Sequence, residues 1–283
     1  MIQSMTGYGK STIQLATKKI TIEIKSLNSK NLDLNTRFPA IYREKEIPVR
    51  RKIAKQLIRG KVDVSFFIEA TSEKTTAHIN KNVVSQYLEQ LNQLGDHADT
   101  LSIAMRLPDV LTIEREELDG NEWSEIEKSI DEALNNLQDF RLDEGEVLKN
   151  DFILRIDTIK SNLDEVIKLD DDRLKAVRDR LQKAINELKI TVDENRFEQE
   201  MIYYLEKLDI TEEKVRLKNH LKYFLETLNI DVSNGKKLGF ISQEIGREVN
   251  TIGSKANFAP MQKMVVQMKD ELEKIKEQLL NVL

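Results

Sequence analysis

Two stretches in the last third of the chain hold side chains whose types and spacing could act on a phosphate ester. Asp209-Ile210-Thr211-Glu212-Glu213-Lys214-Val215-Arg216-Leu217-Lys218-Asn219-His220 puts Glu212, Arg216 and His220 on one helical stripe, with Glu213 beside it. The stretch from Gln243 to Asn257 puts Glu244 and Glu248 one helical turn apart. Two such helices side by side would bring Glu213, Glu244, Glu248 and His220 together. That set could hold a hard divalent cation with positions left open for water and a phosphate oxygen. Arg216, Arg247 and Lys255 would then stabilise charge on a phosphorane, because guanidinium forks match phosphate geometry. Glu244 and Glu248 repel each other, and Arg247 is rotated about 100° from Glu248, too far to neutralise both. The competing reading of the same residues is structural: Glu/Arg pairs at this spacing form surface salt bridges, or buried networks that hold subunits in register. Gly246 and Gly253 tilt the balance from that reading, since a helical glycine costs about 1 kcal/mol unless close approach requires it.

Composition narrows the chemistry. The 283 residues include no cysteine and three histidines. Thiol catalysis, disulfides and Cys-based metal sites are excluded, and a metal held mainly by carboxylates points to Mg²⁺ or Mn²⁺. No nucleotide-binding P-loop, dinucleotide fingerprint or Ser/His/Asp elbow is present, so no nucleotide cofactor is expected. The lone G-x-G of Gly7-Tyr8-Gly9 reads as a strand bulge. Mean hydropathy is -0.48. No charged leader followed by an apolar core opens the chain, and no long apolar run occurs, so a cytoplasmic protein without membrane contact is expected.

Net charge is -5 overall but unevenly spread. Residues 1–70 contain 14 Lys/Arg against 6 Asp/Glu, and residues 71–232 contain 22 against 37. The N-terminal end is therefore suited to a polyanion. Arg51, Lys55 and Arg59 recur at i, i+4 and i+8, a basic stripe about 12 Å long. Lys25, Lys30 and Arg37 add to the candidate phosphate contacts.

The elements that would position these groups fall into two organisations. From residue 2 to 70 apolar residues alternate: Ile20, Ile22, Ile24; Leu32, Leu34; Val62, Val64, Phe66, Ile68. The pattern predicts an α+β domain over 1–140, an antiparallel sheet covered by a helix at 44–58, with further helices at 80–94 and 124–140. No proline occurs between Pro108 and Pro260 and no glycine between Gly145 and Gly235. An extended all-helical domain over 141–283 follows. Ile156, Ile159, Leu163 and Val166, then Leu174, Val177, Leu181 and Leu188, predict a coiled-coil-like arm at about 145–190, broken at Asp170-Asp171-Asp172. Its seam looks too extended for one hairpin to bury, so assembly through the arms is expected. Helices are predicted at 194–207, 212–229, 235–250 and 257–282, with Thr211 as an N-cap.

Ser4-Met5-Thr6-Gly7-Tyr8-Gly9, Glu23-Ile24-Lys25-Ser26-Leu27-Asn28-Ser29-Lys30-Asn31-Leu32-Asp33 leading to Arg37-Phe38-Pro39, and Arg59-Gly60-Lys61-Val62 resemble the N-terminal half of the YicC/YloC family. Gly235-Lys236-Lys237-Leu238, Gln243-Glu244 and Arg247-Glu248-Val249-Asn250-Thr251-Ile252-Gly253-Ser254-Lys255 resemble its C-terminal domain, and Asp209 to His220 match the block before it. Two departures stand out: Lys30 stands where an Arg or other basic residue is common, and Gly246 lies where a larger residue is usual. The resemblance implies an endoribonuclease that depends on a divalent metal and assembles as a homo-oligomer, a hexamer. It adds Asn28 and Lys61 to the RNA contacts and makes Glu244, Glu248, His220, Arg216, Arg247 and Lys255 the catalytic candidates. A non-catalytic RNA-binding scaffold is the alternative.

Overall fold

The computed structural model describes residues 2–71, 77–95, 99–113, 120–188, 193–230 and 234–283. Its elements run β1 (Gly7–Gln14), β2 (Lys18–Leu27), β3 (Leu32–Arg37), α1 (Glu46–Gln56), β4 (Gly60–Ala70), β5 (Ala77–Ile79), α2 (Lys81–Leu94), α3 (Thr100–Ala104), β6 (Leu111–Ile113), α4 (Gly120–Leu188), α5 (Glu194–Lys207), α6 (Thr211–Leu228), α7 (Gly235–Lys255) and α8 (Ala259–Leu279). The α+β class with an extended helical region holds.

The chain divides into a sheet unit, residues 8–25 and 32–137, and a helical unit, residues 1–7, 26–31 and 138–283. In the sheet unit the strands lie in the order β1-β2-β4-β3. The sheet is mixed rather than wholly antiparallel: β3 and β4 are parallel, with Leu32 opposite Gly60 and Arg37 opposite Ser65. The reason lies between them, because α1 carries the chain back across the sheet and lets β4 start in the same direction. The helix expected at 44–58 is shorter, a 3-10 turn over Ala40–Lys45 followed by α1 with Pro48 in its first turn. Alternation buries Ile20, Ile22, Ile24, Val62, Val64 and Phe66 against Val49 and Ile53 of α1 and Ile126, Ile130 and Leu134 of α4. Gly9 sits inside regular strand, not a bulge; a Cβ there would come 1.9 Å from the Ala133 carbonyl oxygen, so the glycine admits α4.

The helical segments expected at 124–140 and 145–190 are one 69-residue helix, α4. Asp170-Asp171-Asp172 does not interrupt it, because Asp170 is buried and neutralised, as described below. The first half of the arm seam is spent inside this chain: Ile156, Ile159, Leu163 and Val166 join Leu217, Phe224, Ile241, Ile245, Met261 and Met268 in one core. The Met261-to-Leu279 stripe of α8 belongs to that same core. The helical unit also stitches the two ends of the chain. Ser4 bridges Val282, the Met5 amide donates to the Asn281 carbonyl (2.7 Å), and the Leu283 amide donates to the Gln3 carbonyl (3.0 Å).

Candidate active site

The N-terminal end of α6 is fixed from two sides. Asp209 Oδ1 accepts from the Thr211 amide (3.0 Å) and from its hydroxyl (2.7 Å), while the N-cap position expected of Thr211 falls on Ile210, whose side chain makes no capping bond. Those hydrogen bonds, the hydroxyl's first, hold the Asp209 carboxyl below its ordinary range. From the end of α7, Lys255 Nζ donates to the Asp209 carbonyl (2.9 Å) and to Glu213 Oε1 (2.7 Å). Glu213 is buried, and its Oε2 has no partner.

Behind this pair lies a buried charge network that the sequence reading did not foresee. Arg173 of α4, 1% exposed, donates from Nε to Asp170 Oδ1 (2.9 Å) and from Nη1 to the Leu208 carbonyl (2.8 Å). A longer contact of 3.4 Å reaches the Lys255 carbonyl. Lys214 Nζ of α6 completes the set at 2.6 Å from Asp170 Oδ2. Four helical segments thus meet on one guanidinium and one carboxylate. The only sequence signal was an Asp and an Arg three apart on a seam otherwise apolar.

Along the face of α6 and α7 the groups are looser. Arg216 pairs with Glu212, and Arg247 with Glu244 at 3.0 Å, both across one turn of exposed helix. Arg247 reaches back three residues to Glu244 and leaves Glu248 without it, so it does not neutralise both carboxylates. Such pairs are worth about 0–1 kcal/mol, so either arginine can exchange its carboxylate for a phosphate at small cost. Glu248 is buried and, among the described residues, its side chain makes no ion pair or hydrogen bond. His220 is half-buried and likewise without a partner among them. The Glu213–Lys255 pair at one end and the Lys237 ammonium 4.8 Å from the Tyr223 ring at the other make α6 and α7 antiparallel neighbours. His220, Glu244 and Glu248 all lie between those two contacts.

The four sequence-predicted ligands do not gather into one set. Among the described residues no three His, Asp or Glu side chains stand close enough to hold a metal ion. Glu213 and His220 are seven residues apart, about 10 Å along α6, and Lys255 draws Glu213 to the far end. Of the other two, Glu244 is taken by Arg247 and Glu248 makes no ion pair among the described residues. Gly246 and Gly253 have a packing explanation: a Cβ at Gly253 would come 2.9 Å from Val265 Cγ1, and one at Gly246 would come 3.2 Å from Leu272 Cδ2, so both let α8 close on α7.

The eight predicted RNA contacts are split among three places. Lys25, Arg37 and Lys61 are exposed on the face of the sheet turned away from α1. Arg51 and Lys55 are exposed on α1, which packs against the other face, and Arg59, half-buried after α1, is engaged with a partner. Asn28 and Lys30 belong to the helical unit, where the Asn28 amide is committed to the Leu280 carbonyl at 2.7 Å.

An α+β protein whose helical unit carries acidic, basic and imidazole groups on neighbouring helices defines a class that the comparisons narrow further. Residues 2–150 match the family described as endoribonuclease YicC-like, N-terminal region, and residues 166–283 match endoribonuclease YicC-like, C-terminal. The chain is 34% identical over 292 residues to a protein of Clostridioides difficile and 30% identical over 287 residues to one of Haemophilus influenzae. Each comparison covers 100% of both chains, and each relative is named probable endoribonuclease YicC. The chain belongs to the YicC-like endoribonuclease family.

Proposed function

We propose that this protein is an endoribonuclease that cuts RNA phosphodiester bonds with a divalent cation, Mn²⁺ or Mg²⁺, on the α6–α7 face. The observation that carries the reading is kinship over the full length with two proteins named probable endoribonucleases. The side chains support the location. Glu248 has no ion-pair or hydrogen-bond partner among the described residues and stands one helical turn from Glu244. Glu248 and His220 would hold the ion, and Mg²⁺ of this kind keeps several waters and takes substrate oxygens rather than needing a full protein cage. Bound there, it supplies an activated water or a polarised phosphate. Arg216 and Arg247 leave exposed ion pairs to bind the phosphate and its developing charge. Lys255 holds Glu213 and so sets α6 against α7. The sheet unit's free cations bind the RNA.

The same proposal includes a homo-oligomer, a hexamer in the manner the resemblance implies, in the cytoplasm. Ile202 and Tyr203 of α5 are more than half exposed, which supports a covered surface there. No helix among the described residues is long and apolar enough to cross a membrane. A second reading, a non-catalytic RNA-binding scaffold, draws on one observation: Glu213, Lys255, Asp170, Arg173 and Lys214 are all spent in structural contacts.

Cleavage of a labelled RNA by purified protein, with Mn²⁺ or Mg²⁺ and with chelator, separates the two. Glu244→Gln and Glu248→Gln should each lower cleavage by at least about 100-fold, the scale of one transition-state stabiliser. RNA affinity in chelator and the oligomer mass should stay unchanged. Normal cutting by both variants removes the site assignment; loss of assembly instead favours the scaffold.

A further inference from the structure

Strand parity gives the sheet unit a second face, on which Tyr8, Lys10, Thr12, Lys25, Lys61 and Phe67 are exposed. Ser11 of β1 turns toward α4, where its hydroxyl donates to Glu132 (2.6 Å), and Ile22 of β2 and Val64 of β4 sit in the core. The alternate residues therefore point the other way. Cross-strand contacts join them: Thr12 to Thr21 (3.4 Å), Lys10 to Glu23 (3.9 Å), and Lys19 to Glu69 (3.6 Å). Two aromatic rings stand on this otherwise polar surface, Tyr8 at 37% exposure and Phe67 at 51%. The contacts put Tyr8 opposite Lys25 and Phe67 opposite Thr21. At strand spacings of about 4.8 Å across and 3.4 Å along, the two rings are about 16 Å apart, room for two separate bases.

The surroundings of the rings decide what they meet. Surfaces that bind protein are depleted in Lys, Glu, Asp and Ser, yet these residues and Thr make up most of this face. Exposed rings set among cations on a four-stranded sheet are instead the arrangement that stacks unpaired bases. The charge supports the same occupant. Lys10 and Lys25 share one carboxylate, Glu23, while Arg37 and Lys61 have no carboxylate partner among the described residues. Lys25 Nζ also lies 5.5 Å from the Tyr8 ring centre, where a phosphate flanking a stacked base could reach it.

We propose that this face is a base-stacking platform for single-stranded RNA, on which Tyr8 and Phe67 each carry a base and Lys25 and Lys61 meet the neighbouring phosphates. It rests on the endoribonuclease reading and names the single-stranded region of the substrate as what the sheet unit holds.

The test uses the full-length protein in chelator, a single-stranded oligoribonucleotide containing 2-aminopurine, and titrations at several salt concentrations. Binding to the unaltered protein should quench the 2-aminopurine fluorescence. Tyr8→Ala and Phe67→Ala should each weaken affinity about tenfold and relieve part of the quenching, with the salt slope unchanged. Tyr8→Phe and Phe67→Tyr should restore both. Tyr8→Leu and Phe67→Leu, which keep apolar bulk but cannot stack, should behave as the alanine variants. Lys25→Ala should instead flatten the salt slope by about 0.7. Alanine and leucine variants that bind and quench like the unaltered protein overturn the platform. Cleavage by the unaltered protein with Mn²⁺ is read separately: RNA cut normally while the ring variants bind normally sinks the platform alone, and stacking without cutting sinks the enzymatic reading alone.

Discussion

Asp170→Asn isolates the joint on which the helical unit turns. In the native protein Asp170 accepts from Arg173 at 2.9 Å and from Lys214 at 2.6 Å, and Arg173 is 1% exposed. The amide keeps the shape and one acceptor but removes the charge. A guanidinium is then left buried without a counter-ion, while Lys214 can swing its ammonium toward water. Breaking a buried pair from one side costs about 3–5 kcal/mol, and at about 2–4 °C per kcal/mol the melting temperature should fall by about 6–20 °C. Urea unfolding followed by the helical circular dichroism signal reads the same loss. The control is Asp170→Leu with Arg173→Met, which removes both charges and fills the space with apolar atoms. It should recover at least half of the lost stability, because the desolvation penalty of the pair disappears with it. A single variant that loses less than about 1 kcal/mol, or a double variant no better than the single, refutes the argument that the network is a buried charge balance.

Three other substitutions probe separate features. Gly253→Ala would push a methyl to 2.9 Å from Val265 and should destabilise by about 1–3 kcal/mol, measured by thermal melting; an unchanged melting temperature would mean α8 is free to move away. Burial and then the hydrogen bond to Glu122 raise the Tyr42 hydroxyl to about 12, so its contribution to stability is full below pH 10 and is lost as pH rises toward 12. Tyr42→Phe should remove one late-titrating tyrosine from the absorbance titration, and a titration identical to that of the unaltered protein would count against it. Replacing Arg51 and Lys55 together by Ala should flatten the salt dependence of RNA binding by about 1.4 if each meets a phosphate, and an unchanged slope would take α1 out of the interface.

Local pattern revealed most of the elements and little of how they join. Period-two alternation located β2 and β4, because one buried face imposes it whatever the partner strand does. That same alternation cannot report strand direction, so the parallel pairing of β3 with β4 became visible only with α1 in place. The arm seam was legible as apolar spacing, yet spacing does not say whose residues fill the opposite side, and for Ile156 to Val166 they come from this chain. The Glu and Arg blocks were recognisable by type. Which carboxylate is spoken for depended on Lys255 and Lys214 arriving from other turns and other helices. Tyr8 and Phe67 were passed over because one exposed aromatic in a strand carries no signal until the faces of neighbouring strands are known.

The stitched ends impose an order on synthesis. Asn28 and its partner Leu280 are separated by 252 residues, which takes about 13–50 s at about 5–20 residues per second. The sheet unit uses no residue beyond 137 and can close early in that interval. Throughout it, the segment from Ile2 to Gly7 lacks Val282 to bridge, and for the last ~3–14 s the apolar stripes of α6 and α7 lack the α8 part of their shared core. The nascent helical unit is thus aggregation-exposed for seconds, whereas a fragment starting at residue 138 would keep α6, α7 and α8 together and lack only Ile2 of the buried core.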